Sequence, residues 1–162
     1  MMSQGALSGN EGLTSVGLAV PLFFGIIATI GTIVTHGLAV LAILHFMRQQ
    51  TARGRTGAMF WTDLCIVTTA ALITVVAHLT DIGVWAVLFL LSGEFGTFGT
   101  AVYHSAVNYT TLGYGDLVMS PAWRLLGPIE AMDGLLMFGI TTAMLFGVIR
   151  WIIRTRYPDA RV

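Results

Sequence analysis

Three apolar runs, 16–47, 59–91 and 121–155, constrain this chain more tightly than any motif does. A helix needs only about 20 predominantly apolar residues to cross a hydrocarbon core of about 30 Å, and each run is long enough. Composition points the same way: with 56% hydrophobic and 10% charged residues, the 162-residue chain has too little polar sequence for a soluble domain. It is an all-α integral membrane protein with three spanning helices. Formal net charge is zero and every basic residue is Arg, so a nucleic-acid partner has no electrostatic footprint. The one cysteine, Cys65, allows no internal disulfide.

The leader, 1–14, is rich in Gly and Ser, carries only Glu11 as a charge, and is expected to be a disordered tail. It has no basic residue, and the run after it exceeds the 7–15 apolar residues of a secretory signal. A retained transmembrane helix over 15–47 follows, with Pro21 near its start. Gly31, Thr35 and Ala39 form a small-residue stripe on it. Next come Arg48, Arg53 and Arg55, then the second helix, which Gly93 ends, while Arg150, Arg154, Arg156 and Arg161 close the chain. Arginine on cytoplasmic loops places both clusters inside, the N-terminus outside and the C-terminus in the cytoplasm.

Between the second and third long runs lies 95–109, a helix-compatible stretch too short to span. It is followed at once by Thr110, Thr111, Leu112, Gly113, Tyr114, Gly115 and Asp116. Irregular backbone at membrane depth is tolerated only where it is buried in protein or lines a wet cavity, so this is a re-entrant loop. Glycines at alternate positions suit a backbone whose handedness alternates and whose carbonyls face one axis. Thr111 adds a hydroxyl below that stack, while Leu112 and Tyr114 point away from it. Such carbonyls can replace the hydration shell of a potassium ion. The segment resembles the selectivity-filter signature of tetrameric potassium channels, and the likeness runs from about Gly93 to Arg154.

That resemblance implies a pore domain over 58–156: an outer helix, a pore helix at 95–109, a filter at 110–116 and an inner helix at 121–155 capped by Ser120 and Pro121. Potassium would bind at Thr111, Leu112, Gly113 and Tyr114, with Gly115 completing the filter, Thr110 supporting it and Asp116 forming an outer carboxylate ring. The chain holds a single filter copy, so a four-loop pore takes three further identical subunits in a lipid bilayer. Tyr103 and His104 occupy the positions of two bracing aromatics in the family. Val107 stands where some members have an acid. Gly139 matches the hinge glycine, with Ile140, Ala143 and Gly147 favoured for the pore face and Gly134 as a further hinge or close-packing glycine. No cofactor beyond permeant potassium and no enzyme chemistry is implied, and the absence of Lys and of a eukaryotic-style signal suggests a bacterial inner membrane.

The remaining ionisable residues carry weaker expectations. Glu130 and Asp133 fit helix-dipole or subunit pairing with Arg124. Asp63 fits the arginine loop, and His78 fits Asp81 one turn away. His104 is a candidate sensor of external pH between about 7.5 and about 5.5, with His78 its rival. Two competing functions remain. One is a membrane cytochrome using His36, His45, His78 and His104, which requires histidines facing each other at one depth; His36 and His45 fall in the inner half and His78 near the outer face. The other is a non-conducting accessory subunit that has kept a filter-like loop.

Overall fold

The computed structural model describes residues 15–157, so the expected tail at 1–14, Pro158 and Arg161 lie outside the described residues. The helices are α1 (Ser15–Ala52), α2 (Phe60–Leu91), α3 (Phe98–Tyr109) and α4 (Leu126–Arg156), and there is no strand among the described residues. α1, α2 and α4 are long and apolar enough to cross a membrane. The chain divides into two compact units, one holding residues up to Gly31 and Ile82–Leu135, the other Thr32–Asp81 and the chain from Leu136 onward.

Element boundaries differ from the expected ones for local reasons. α1 continues past 47 to Ala52 because its polar end still makes helical contacts: Thr51 Oγ1 donates to the Met47 carbonyl at 3.1 Å, and Gln49 bonds His45 at 2.8 Å. α3 starts at Phe98, not 95, because Thr97 is its N-cap, in extended backbone with its hydroxyl accepting from the Thr100 amide. α4 starts at Leu126, not 121. The Ser120 amide and hydroxyl are both taken by Glu94, at 2.6 and 2.7 Å, and residues 121–125 form turns.

In the unit containing Thr32–Asp81, α1 buries Thr32, His36, Ala39, Ile43, Met47 and Gln50. Steps of three and four keep these on one stripe of the helix. The lower part of that stripe packs with Ile66 and Ala70 of α2 and Val148 and Ile152 of α4. The expected stripe is offset from this one: Ala39 is buried, but Gly31 and Thr35 are only half-buried. Asp63 ties the α1–α2 connection to the end of α4, accepting from the Gly57 amide at 2.8 Å and from Arg156 at 3.2 Å. Its partner is thus the last arginine of α4 instead of one in the loop beside it.

The unit containing Ile82–Leu135 seats α3 between α2 and α4. Trp85, Phe89, Ala101, Tyr109 and Leu126 are wholly buried there. α3 meets α4 at Gly134, where an added Cβ would lie 2.0 Å from the Tyr109 carbonyl oxygen. A backbone atom cannot rotate away, so only glycine allows this approach. Gly134→Ala should therefore lower the thermal unfolding temperature sharply, with a cost of about 3 kcal/mol or more for the forced backbone shift. Gly139→Ala, whose Cβ meets nothing within 4 Å inside a regular helix, should not lower it in the same melt.

Candidate functional site

The end of α3 hands its backbone directly to the loop at 110–116. The Thr111 amide donates to Asn108 at 2.8 Å, and the Leu112 and Gly113 amides donate to Val107 at 2.9 and 3.2 Å. Hydrogen bonds thus fix the loop's start while its direction reverses. Thr111, Gly113 and Gly115 have φ of 61°, 61° and 71°, and no other described non-glycine residue has positive φ. Left-handed backbone at every second residue is the alternation that turns successive carbonyls the same way. For Gly113 and Gly115 the demand is conformational, since an added Cβ would meet nothing within 4 Å. Thr111 adopts the same region although β-branched, a strain of roughly 1–3 kcal/mol of the kind found at functional sites. The two glycines were legible in the sequence, whereas Thr111 as the start of the alternation was not.

The far end of the loop is held by Tyr103, whose hydroxyl donates to Asp116 Oδ2 at 2.7 Å. That bond to a carboxylate raises the phenol pKa above its ordinary 10.0. His104, one residue on, faces the other way. Its ring packs against Phe89 and Phe95 with centroids 5.2 and 4.6 Å away. Nε2 accepts from Asn108 at 2.8 Å, and the Leu117 backbone accepts from the ring. Asp116 is therefore held by Tyr103, and His104 supports the loop through Leu117. Leu112 and Tyr114 are exposed in the single chain, at 55% and 67%. Behind the loop lies a cavity of about 600 Å³, lined in part by His104, Asn108, Thr111, Gly113, Leu117 and Arg124.

The α3 brace comes from acids on α4, which the sequence presented as partners for Arg124. Glu130 is fully buried with Oε1 2.5 Å from Ser105 Oγ, and Asp133 Oδ2 accepts from the indole of Trp85 at 2.8 Å. Ser105 is also 2.9 Å from the Ile82 carbonyl, so one hydroxyl joins α2, α3 and α4. Glu94, Trp85, Ser105 and Asn108 were missed as site residues. A signal existed, because two carboxylates one turn apart in an apolar run need polar partners, and α3 offers Ser105 and Asn108.

Along α4, Gly139, Ala143 and Gly147 are exposed on one face. Ile140 instead lines a groove with Ile33, Val34, Gly37 and Leu41 of α1. The depth assigned to the histidines needs correcting. His36 lies sixteen residues before Ala52 and His78 eighteen after Phe60, so they sit level when counted from the shared connection. Their rings are edge to face, 4.7 Å between centroids, and Thr141 Oγ1 lies 3.3 and 3.0 Å from their Nε2 atoms. Rings this close leave no slot for a porphyrin. Asp81, expected beside His78, pairs across to His36 at 2.8 Å.

Residues 75–150 match the ion channel family. The matched segment runs from within α2 through α3 and the loop into α4, and leaves α1 outside it. It supports an ion channel, and with three apolar helices the chain is an integral membrane protein. No curated protein and no solved structure gives a match.

Burial lowers the His104 pKa from its ordinary 6.5, outweighing the opposing pull of the Leu117 bond, Asp116 and Glu94. Below 6.5 the unfolded chain binds this proton before the folded one does. The stability contributed by neutral His104 is therefore lost as pH falls from 6.5 toward the lower folded value. Thermal unfolding across pH should show a His104-dependent decline only on the acid side of 6.5, and His104→Gln should flatten it.

Proposed function

We propose that this chain is the subunit of a potassium-selective channel in which four copies bring their 110–116 loops around one axis and the α4 helices line the conduit. The observation that carries this is the left-handed backbone at Thr111, Gly113 and Gly115, spaced two apart within the run Thr111, Leu112, Gly113, Tyr114 and Gly115. A peptide chain with that alternation can turn its carbonyl oxygens to a common side and offer a dehydrated cation several oxygen shells in series. The ion-channel match over the same segment supports it. α3 is then the re-entrant pore helix, the Tyr103–Asp116 bond holds the outer mouth, and the arginine clusters face the cytoplasm.

Function follows from exchange of one oxygen shell for another. Water around the ion is replaced by backbone carbonyls, so selectivity depends on the loop holding its shape. Tyr103 holds the loop directly through Asp116, while hydrogen bonds of His104 within α3 and of Ser105 to Glu130 fix the helix that carries it. The outward carboxylate of Asp116 raises the local cation concentration at the entrance.

Flux into liposomes reconstituted with the full chain tests the reading. Under a potassium gradient the parent should conduct potassium well above sodium. Gly113→Ala should lose that discrimination while still folding, because its cost is backbone angle and not space. Equal sodium and potassium permeability in the parent, or absence of conduction in planar bilayers, overturns potassium selectivity. A native mass other than four copies overturns the assembly.

A further inference from the structure

We propose that His36, His78 and Asp81 form a binding site for a divalent transition-metal ion of the zinc class, which fastens α1 to α2. The three residues each offer one ligand atom, and these atoms lie within 4.8 Å of one another. Four-coordinate zinc, with bonds of about 2.0–2.2 Å, brings ligand atoms to roughly 3.3 Å apart. Side-chain rotation closes the remaining gap, and the His36–Asp81 contact is already 2.8 Å.

The placement follows from helix geometry. His78 and Asp81 are three residues apart on α2 and share a face. His36 reaches them from α1 with Nδ1 toward Asp81, while the Thr141 hydroxyl of α4 lies at the Nε2 atoms of both imidazoles and orients the rings, leaving water to complete the shell. All four lie in one compact unit. His36 and Asp81 are almost fully buried, at 2% and 0% exposure. Such groups inside an apolar helix pair are costly, and packing alone would be served by leucine.

Donor chemistry selects the ion. Two imidazole nitrogens with one carboxylate suit zinc and its transition-metal neighbours, whereas magnesium and calcium take shells of oxygen. The site is therefore distinct from any oxygen-lined path for a permeant alkali ion. His36 lies outside the segment that matches the ion channel family, while His78, Asp81 and Thr141 lie inside it. The ion would join the additional helix to the matched segment.

The test uses tag-free, full-length protein in detergent, stripped with a chelator and then dialysed against zinc or cobalt alone. We expect about one zinc per chain, a raised unfolding temperature, and visible d–d absorption of low-symmetry cobalt. His36→Ala and Asp81→Asn should each weaken zinc binding more than tenfold, of the order lost when metal-site groups are removed, while His45→Ala should bind as the parent does. No stoichiometric uptake by the parent, or uptake that survives both cluster substitutions, overturns the site. If the variants fail to fold, the parent decides it: a spectrum of six-coordinate, water-like cobalt overturns the proposal, and one with imidazole and carboxylate ligation supports it.

Discussion

A backbone that turns left-handed at every second residue can form neither a helix nor a sheet ladder, so the loop at 110–116 cannot hold itself. Its positive φ angles at Thr111, Gly113 and Gly115 have to be imposed from outside. Much of the first compact unit serves that need. The carbonyls of Val107 and Asn108 capture the first amides of the loop, Tyr103 holds Asp116, and His104 reaches Leu117. α3 can do this only because it is fixed in turn. Gly134 lets it approach α4 at Tyr109, and Ser105 bonds Glu130.

Burying these polar groups is expensive, and the way each is satisfied explains the arrangement. Glu130 and Asp133 lie one turn apart in an apolar part of α4, and each meets a donor from a different element, Ser105 and Trp85. A buried carboxylate left without its donor costs about 1–3 kcal/mol or more. These acids therefore specify which helices meet and in what register. Glu94 acts similarly at the surface, where both its oxygens bind Ser120 and fix the spacing between the loop's two flanks.

The second compact unit rests on simpler physics at one end. Ile43, Met47, Ile66, Ala70, Val148 and Ile152 pack as an apolar core, with the Asp63–Arg156 pair beside the connection. The His36, His78, Asp81 and Thr141 group breaks that apolar pattern and links three polar side chains and one carboxylate in one chain of contacts. Hydrocarbon offers no competing water, so such groups find one another or an ion.

The sequence by itself determined the class, the number of helices long and apolar enough to span a membrane, and the place of the loop. Those features are local: run length sets spanning, and Gly113 and Gly115 advertise left-handed backbone one residue at a time. Helix ends were legible only to within a turn, because Ser120 was free to cap α4 or to bind Glu94, and tertiary contact settled it for Glu94. That Glu130 and Asp133 needed polar partners was legible, but which residues supply them, and which one meets His36 and Asp81 across the helices, was not. Sequence spacing gives the face of a helix but not its neighbour, so Arg124 and His78 stood as the nearest candidates where the folded chain uses Ser105, Trp85 and a histidine from α1. The depth of His36 was misjudged for the same reason: α1 ends at Ala52 only because Thr51 and Gln49 still bond back into it. Local backbone chemistry wrote the loop into the sequence, and only the packing of one helix on another decided what holds it.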